Sequence, residues 1–262
     1  MIRRAFPCVV VLSCLVVAAT RAHAQSPAPP QPRFSRQQIL ELLQGAQVAD
    51  SPELGEAINE LLSDTSVHMR MAPERVATAA DSARAAAAVL EARASLAKYK
   101  DVAVAEAEGY RKFLPRVAEQ PIYHYNNIQN AIAGYSRFDA TKPVSLLYRK
   151  GPRGELVLVG VMYSAPPSAT AEEIDGRLPL GVAHWHEHIN FCGPTLEAYQ
   201  NGSAATDGAS TAKWLRITSR EECTAAGGRF VPRLFGWMTH AYIFAGDDPK
   251  QIWGGEGKQH MH

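Results

Sequence analysis

The chain is short of cysteine: it has four in 262 residues, and two of these, Cys8 and Cys14, fall within the first 24. It also lacks an excess of either charge, with 27 Lys and Arg against 26 Asp and Glu. Nucleic-acid binding therefore loses its main electrostatic argument. No internal apolar run approaches the roughly 20 residues of a membrane span. The G-x-S-x-G nucleophile elbow, the P-loop and the dinucleotide glycine fingerprint are all missing, which removes the commonest sequence-readable catalytic classes. Apolar residue is not scarce. At 46% hydrophobic, the composition is that of a packed protein rather than a disordered one.

Residues 1–24 read as a secretory signal. Arg3 and Arg4 precede an apolar stretch, and Ala22-His23-Ala24 supplies a small-x-small cleavage pattern. Cleavage there removes Arg3, Arg4 and Arg21 but no acid, leaving 24 basic and 26 acidic residues, a formal charge of −2. It also leaves Cys192 and Cys223 as the remaining cysteines. An even pair in an exported chain most simply forms one disulfide, with a metal thiolate or two free thiols as the rivals. The expected location is periplasmic or extracellular, with no membrane span in the mature chain.

A Pro-rich linker follows at 25–34. Residues 35–110 read as helical. One helix is capped by Ser35, a second starts at Ser51-Pro52-Glu53, and an Ala-rich third runs from about Pro73 to Tyr99. A short fourth spans Asp101 to Gly109. Residues 111–254 change character. Val144–Arg149 and Leu156–Tyr163 flank Gly151-Pro152-Arg153-Gly154 and predict a β-hairpin. A short helix is expected over Ser168–Ile174, with strands over Gly181–Phe191 and Trp214–Thr218. Ser219 caps a helix around Cys223, Phe230–Phe244 is apolar, and Asp248-Pro249 opens a last turn. Residues 255–262 read as a flexible tail. The predicted fold is α+β, an N-terminal helical segment packed on a C-terminal, mainly antiparallel β-sheet.

The chain has nine histidines, and three lie within His184-Trp185-His186-Glu187-His188. As a strand, this segment presents His184, His186 and His188 on one face, an H-x-H arrangement able to offer two imidazoles to one ion. As a helix it spells H-x-x-E-H, the inverted zinc-protease motif. Pro179, Gly181 and Cys192-Gly193-Pro194 leave barely enough room for a helix, which favours the strand. Glu187 then faces away from the histidines and makes a poor general base. A third ligand is needed, and His240, in the apolar Gly236–Tyr242 segment, is the best candidate. His124 and His68 are further candidates. His124 reads first as part of an aromatic cluster, and His68 as a loop residue whose Met69 and Met71 neighbours suggest copper. The donor set suits zinc or copper. Glu106 and Glu108 are alternative acid/base groups that read first as solvated helix charges. The sequence does not decide whether binding is followed by catalysis.

Several segments together resemble a family of uncharacterised exported bacterial proteins. The densest are Trp185-His186-Glu187-His188-Ile189-Asn190, a W-H-x-H-x-N motif, and Gly236-Trp237-Met238-Thr239-His240, a G-W-M-x-H motif. Weaker pieces extend the resemblance over residues 65–254. It implies export and one common fold, brings no activity with it, and leaves His184 outside its motifs. The leading expectation is an exported metal-binding protein with ligands His186, His188 and His240. The alternative is an envelope protein binding a non-metal ligand or a protein partner through Trp185, Tyr163, Trp237 and the histidines.

Overall fold

The computed structural model describes residues 67–115, 117–195, 212 and 214–254. The expected signal, linker, first two helices and tail lie outside them. Within them the chain forms strand β1 (Met69–Met71), helix α1 (Ala79–Leu96) running into a 3-10 turn (Ala97–Lys100), and α2 (Val102–Ala107). Then come β2 (Arg111–Lys112), β3 (Tyr123–Asn126), α3 (Ile128–Ser136), β4 (Ser145–Lys150), β5 (Leu156–Ala165) and α4 (Ala171–Arg177). The last group is β6 (His186–Gly193), α5 (Arg220–Ala225), β7 (Arg229–Arg233), β8 (Trp237–Ala241) and α6 (Pro249–Ile252). The eight strands make one antiparallel sheet in the order β1-β6-β8-β5-β4-β3-β2, with β7 pairing β6 as a branch. The expected α+β architecture is the observed one.

Helix α1 starts later than the predicted Pro73, because Thr78 caps it. The Thr78 hydroxyl accepts from the Asp81 amide at 3.2 Å, and the Asp81 carboxylate accepts from the Thr78 amide at 2.8 Å. Ala85, Val89, Ala92 and Leu96 recur at helical spacing and are all buried. They join Tyr125, Tyr148, Val161, Tyr163, Trp185 and Ala241 in one cluster, so this helix covers one face of the sheet. Arg93 fastens it further, donating to the Ile243 carbonyl at 2.5 Å and pairing with Asp247 at 2.6 Å. The predicted hairpin is β4–β5, with Gly154 at φ 83° in its turn.

Three expectations need correction. The predicted helical region contains a strand: β1 pairs with β6 across more than a hundred residues, and no local pattern reveals so distant a partner. The predicted strand at Trp214–Thr218 is the end of a helical turn, closed by the Ile217 amide on the Trp214 carbonyl at 3.1 Å, directly before the Ser219 cap of α5. The predicted strand from Gly181 starts only at His186, because the Val182 and Ala183 amides both turn back onto the Pro179 carbonyl.

The Cys192–Cys223 disulfide forms as expected, joining the end of β6 to α5 over a Cα separation of 5.6 Å. Gly228 packs against both sulfurs. A Cβ there would lie 2.8 Å from one and 3.0 Å from the other. Among the described residues no helix is long and apolar enough to cross a membrane.

Candidate functional site

Alternation along the strands sorts their side chains between two faces. At the start of β6, Trp185, just before the strand, and Glu187 flank His186. Trp185 lies in the helix-covered core, its indole donating to the Leu178 carbonyl at 3.0 Å. Glu187 is fully buried on the same side, accepting a hydrogen bond from Arg70 Nε at 2.9 Å and forming an ion pair with Arg233 Nε, also at 2.9 Å. These anchors aim His186 and His188 at the opposite face. The same logic holds in β8, where Thr239 and Ala241 point to the core and His240 does not. It holds in β3, where Tyr123 and Tyr125 are core residues and His124 lies between them. Segment 186–193 is thus a strand, and the helical H-x-x-E-H alternative is not adopted.

The structure gathers four imidazoles on this face. His186 stacks on His240 with ring centroids 5.2 Å apart and an interplanar angle of 25°. His188 meets His186 edge-on at 5.4 Å. His124 meets His240 edge-on at 5.6 Å, and their Nε2 atoms are 3.4 Å apart. His186, His188 and His240 are buried, and His124 is half-buried. His124 reaches His240 although β4 and β5 lie between their strands. Gly160, on the histidine face of β5, helps explain this. The Ala241–Tyr242 backbone occupies the place of its side chain, and a Cβ there would sit 2.5 Å from the Ala241 oxygen and 2.8 Å from Tyr242 Cα. The chain leaving β8 therefore folds over Gly160 and carries His240 toward β3.

The rings are gathered but not aimed at one point. Among the described residues no three His, Cys, Asp or Glu side chains are arranged to hold one metal ion. The remaining candidates lie elsewhere. His184 precedes β6 and faces Glu74, with Nδ1 3.5 Å from a carboxylate oxygen. His68 packs its ring against Phe191 at 5.1 Å, with Nδ1 3.2 Å from the Ile189 carbonyl oxygen. Phe191 lies 6.2 Å from His188, so this one ring connects His68 with the group.

Glu106 is exposed. Glu108 pairs with Lys98 at 2.7 Å and accepts from the Tyr99 hydroxyl at 2.6 Å, two bonds that hold its carboxyl below the usual glutamate range. It lines a polar cleft of about 400 Å³ with Tyr110, Asn130 and Lys142. Tyr163 and Trp185 are buried in the helix-covered core, and Trp237 packs against it, donating to the Ala169 carbonyl at 3.2 Å. The aromatic residues of the alternative expectation therefore lie on the opposite face from the histidines.

In the sequence, Met69 and Met71 read only as soft neighbours of His68, and Met162 and Met238 do not read as donors. Met69, Met71, Met162 and Met238 all share the histidine face, on β1, β5 and β8. The Met-x-Met spacing at 69–71 was a signal for it once that segment is known to be a strand.

Compared with protein-family models, with curated proteins and with solved structures, the chain matches none.

Proposed function

We propose that this is an exported protein that binds a transition-metal ion, zinc or copper, on the histidine face of its sheet, and that it belongs with the exported proteins its motifs resemble. The carrying observation is the 3.4 Å between His124 Nε2 and His240 Nε2. Two nitrogens on one tetrahedral ion, each bonded at about 2.0–2.1 Å, stand about 3.3 Å apart. His124 and His240 thus already have the spacing of paired ligands. His186, stacked on His240, and His188 beside it supply the remaining donors by turning about their side-chain torsions.

Export is supported by the Cys192–Cys223 disulfide, which joins both cysteines outside the expected signal. Glu187 points to the other face, so β6 offers no carboxylate beside the imidazoles to act as a base.

The test is metal analysis of chain purified without a His tag, beside His124→Ala/His240→Ala and His186→Ala/His188→Ala variants with circular dichroism as the fold control. About one equivalent of zinc or copper, lost in folded variants, is expected. Metal-free protein after exposure to both ions, or folded variants that keep the metal, would refute the reading.

A further inference from the structure

The register of the sheet carries the site's chemistry further. Each of the four methionines among the described residues is the direct cross-strand partner of a histidine. Met69 stands opposite His188, Met71 and Met238 stand on either side of His186, and Met162 stands opposite His240. Directly opposed side chains on one face have Cβ atoms about 4.5–5.5 Å apart, within reach of a flexible thioether. None of the four lies in the helix-covered cluster; Met238 is buried on the histidine face, and Met162 packs there against the smaller cluster of Ile122, Leu147, Val159 and Tyr242.

From this we infer that the face is built for a soft monovalent ion, cuprous copper, held by thioether sulfur together with imidazole nitrogen. The row Met71–His186–Met238 is its centre. The inference rests on the metal-binding reading above and names the class of ion.

Two lines of chemistry support it. Thioethers select Cu(I) and give zinc little, so a zinc site has no use for four of them. With Cys192 and Cys223 joined in a disulfide, methionine is the soft donor left in the described chain. The second line is charge. Imidazole and thioether are neutral, and the one carboxylate on β6, Glu187, faces away and is already neutralised by Arg70 and Arg233. Desolvation cost grows with the square of charge, so a divalent ion in this neutral, largely buried setting costs about four times what a monovalent one does.

Silver(I) serves as a redox-inert probe for Cu(I), with zinc(II) alongside. The full chain, carrying ¹³C-methyl methionine, is titrated with each ion, and the methyl signals are assigned from single Met→Leu variants. Silver is expected to shift the Met71 and Met238 methyl signals further than zinc does, because zinc reaches them only through the ring of the neighbouring His186. Replacing Met69, Met71, Met162 and Met238 together by Leu, a volume-conserving change, is expected to weaken silver binding at least about tenfold and to leave zinc binding unchanged. If circular dichroism shows that variant unfolded, Met71→Leu/Met238→Leu replaces it. Methyl signals unmoved by silver, or a folded Leu variant that binds silver as the parent does, would overturn the inference. Zinc retained under those results leaves the imidazole site standing. Neither ion binding removes the site and the inference together.

Discussion

Replacing Gly160 by Ala tests how the histidine face is assembled. The added Cβ would lie 2.5 Å from the Ala241 oxygen and 2.8 Å from Tyr242 Cα, where ordinary contact begins near 3.4 Å. Both obstacles are backbone, so no side chain can rotate away. Relief requires the end of β8 to move from β5 by about 0.9 Å. Overpacking of this kind costs about 1–3 kcal/mol. The move also strains the nearby bond from the Phe244 amide to the Val159 carbonyl, 3.0 Å long, which adds about 1 kcal/mol. A loss of about 3 kcal/mol is expected, or roughly 6–12 °C in melting temperature for a chain of this size. The same shift takes His124 and His240 out of ligand spacing, and zinc affinity should fall on the order of tenfold. Gly176→Ala is the control. It lies within α4 with nothing inside 4 Å of the new Cβ, and should stabilise by about 0.5–1 kcal/mol. Thermal unfolding and zinc titration of both variants read the outcome. Equal stability of the two would refute the close-approach argument, and a destabilised Gly160→Ala chain with parental zinc affinity would refute its link to the site.

Other consequences are checked by similar means. Glu187→Ala should cost about 1–2 kcal/mol in urea unfolding by removing the charge-assisted bond from Arg70, a modest loss because Arg70 and Arg233 both reach solvent, yet leave metal affinity intact because Glu187 points away from the histidines. Metal lost from a folded variant would contradict the face assignment. Opening the Cys192–Cys223 bridge, which closes a 31-residue separation, should cost roughly 3–4 kcal/mol by chain entropy, measured by calorimetry of a Cys192→Ser/Cys223→Ser variant. Bonds from Arg75 and Thr78 hold the Asp81 carboxyl well below its ordinary 3.8. Its stabilisation is therefore present above that value and is lost as pH falls below it. Asp81→Asn should flatten the acid limb of stability, and an unchanged limb would show that the pair with Arg75 contributes nothing.

What could be read from the sequence was local. The Ala-rich run after Thr78, the Gly151–Gly154 turn and the Ser219 and Asp248 caps each carry their own signal within a few residues, and all mark elements that formed. Helix α3 is capped as clearly, by the Asn127 side chain accepting from the Gln129 and Asn130 amides, but its aromatic neighbours drew attention to Tyr123–Asn126 instead. What was hidden depended on partners far along the chain. Met69-Arg70-Met71 is too short to announce a strand, and only pairing with β6 makes it one. His124 joined the group because Gly160 admits the neighbouring backbone, a fact of three dimensions that no spacing encodes. The methionine–histidine pairs follow from register alone.

That sharing of one strand between two environments sets how the protein can change. Along 185–188 the odd positions Trp185 and Glu187 serve the core, and the even positions His186 and His188 serve the other side. Inserting or deleting a single residue ahead of this stretch would exchange the two sets, putting an indole and a carboxylate among the thioethers and two imidazoles beneath the helix. Such a lesion removes stability and ligand chemistry in one step, with no intermediate form that keeps either. Drift here can therefore proceed by substitution but not by length, and variation in length is confined to the connections between strands.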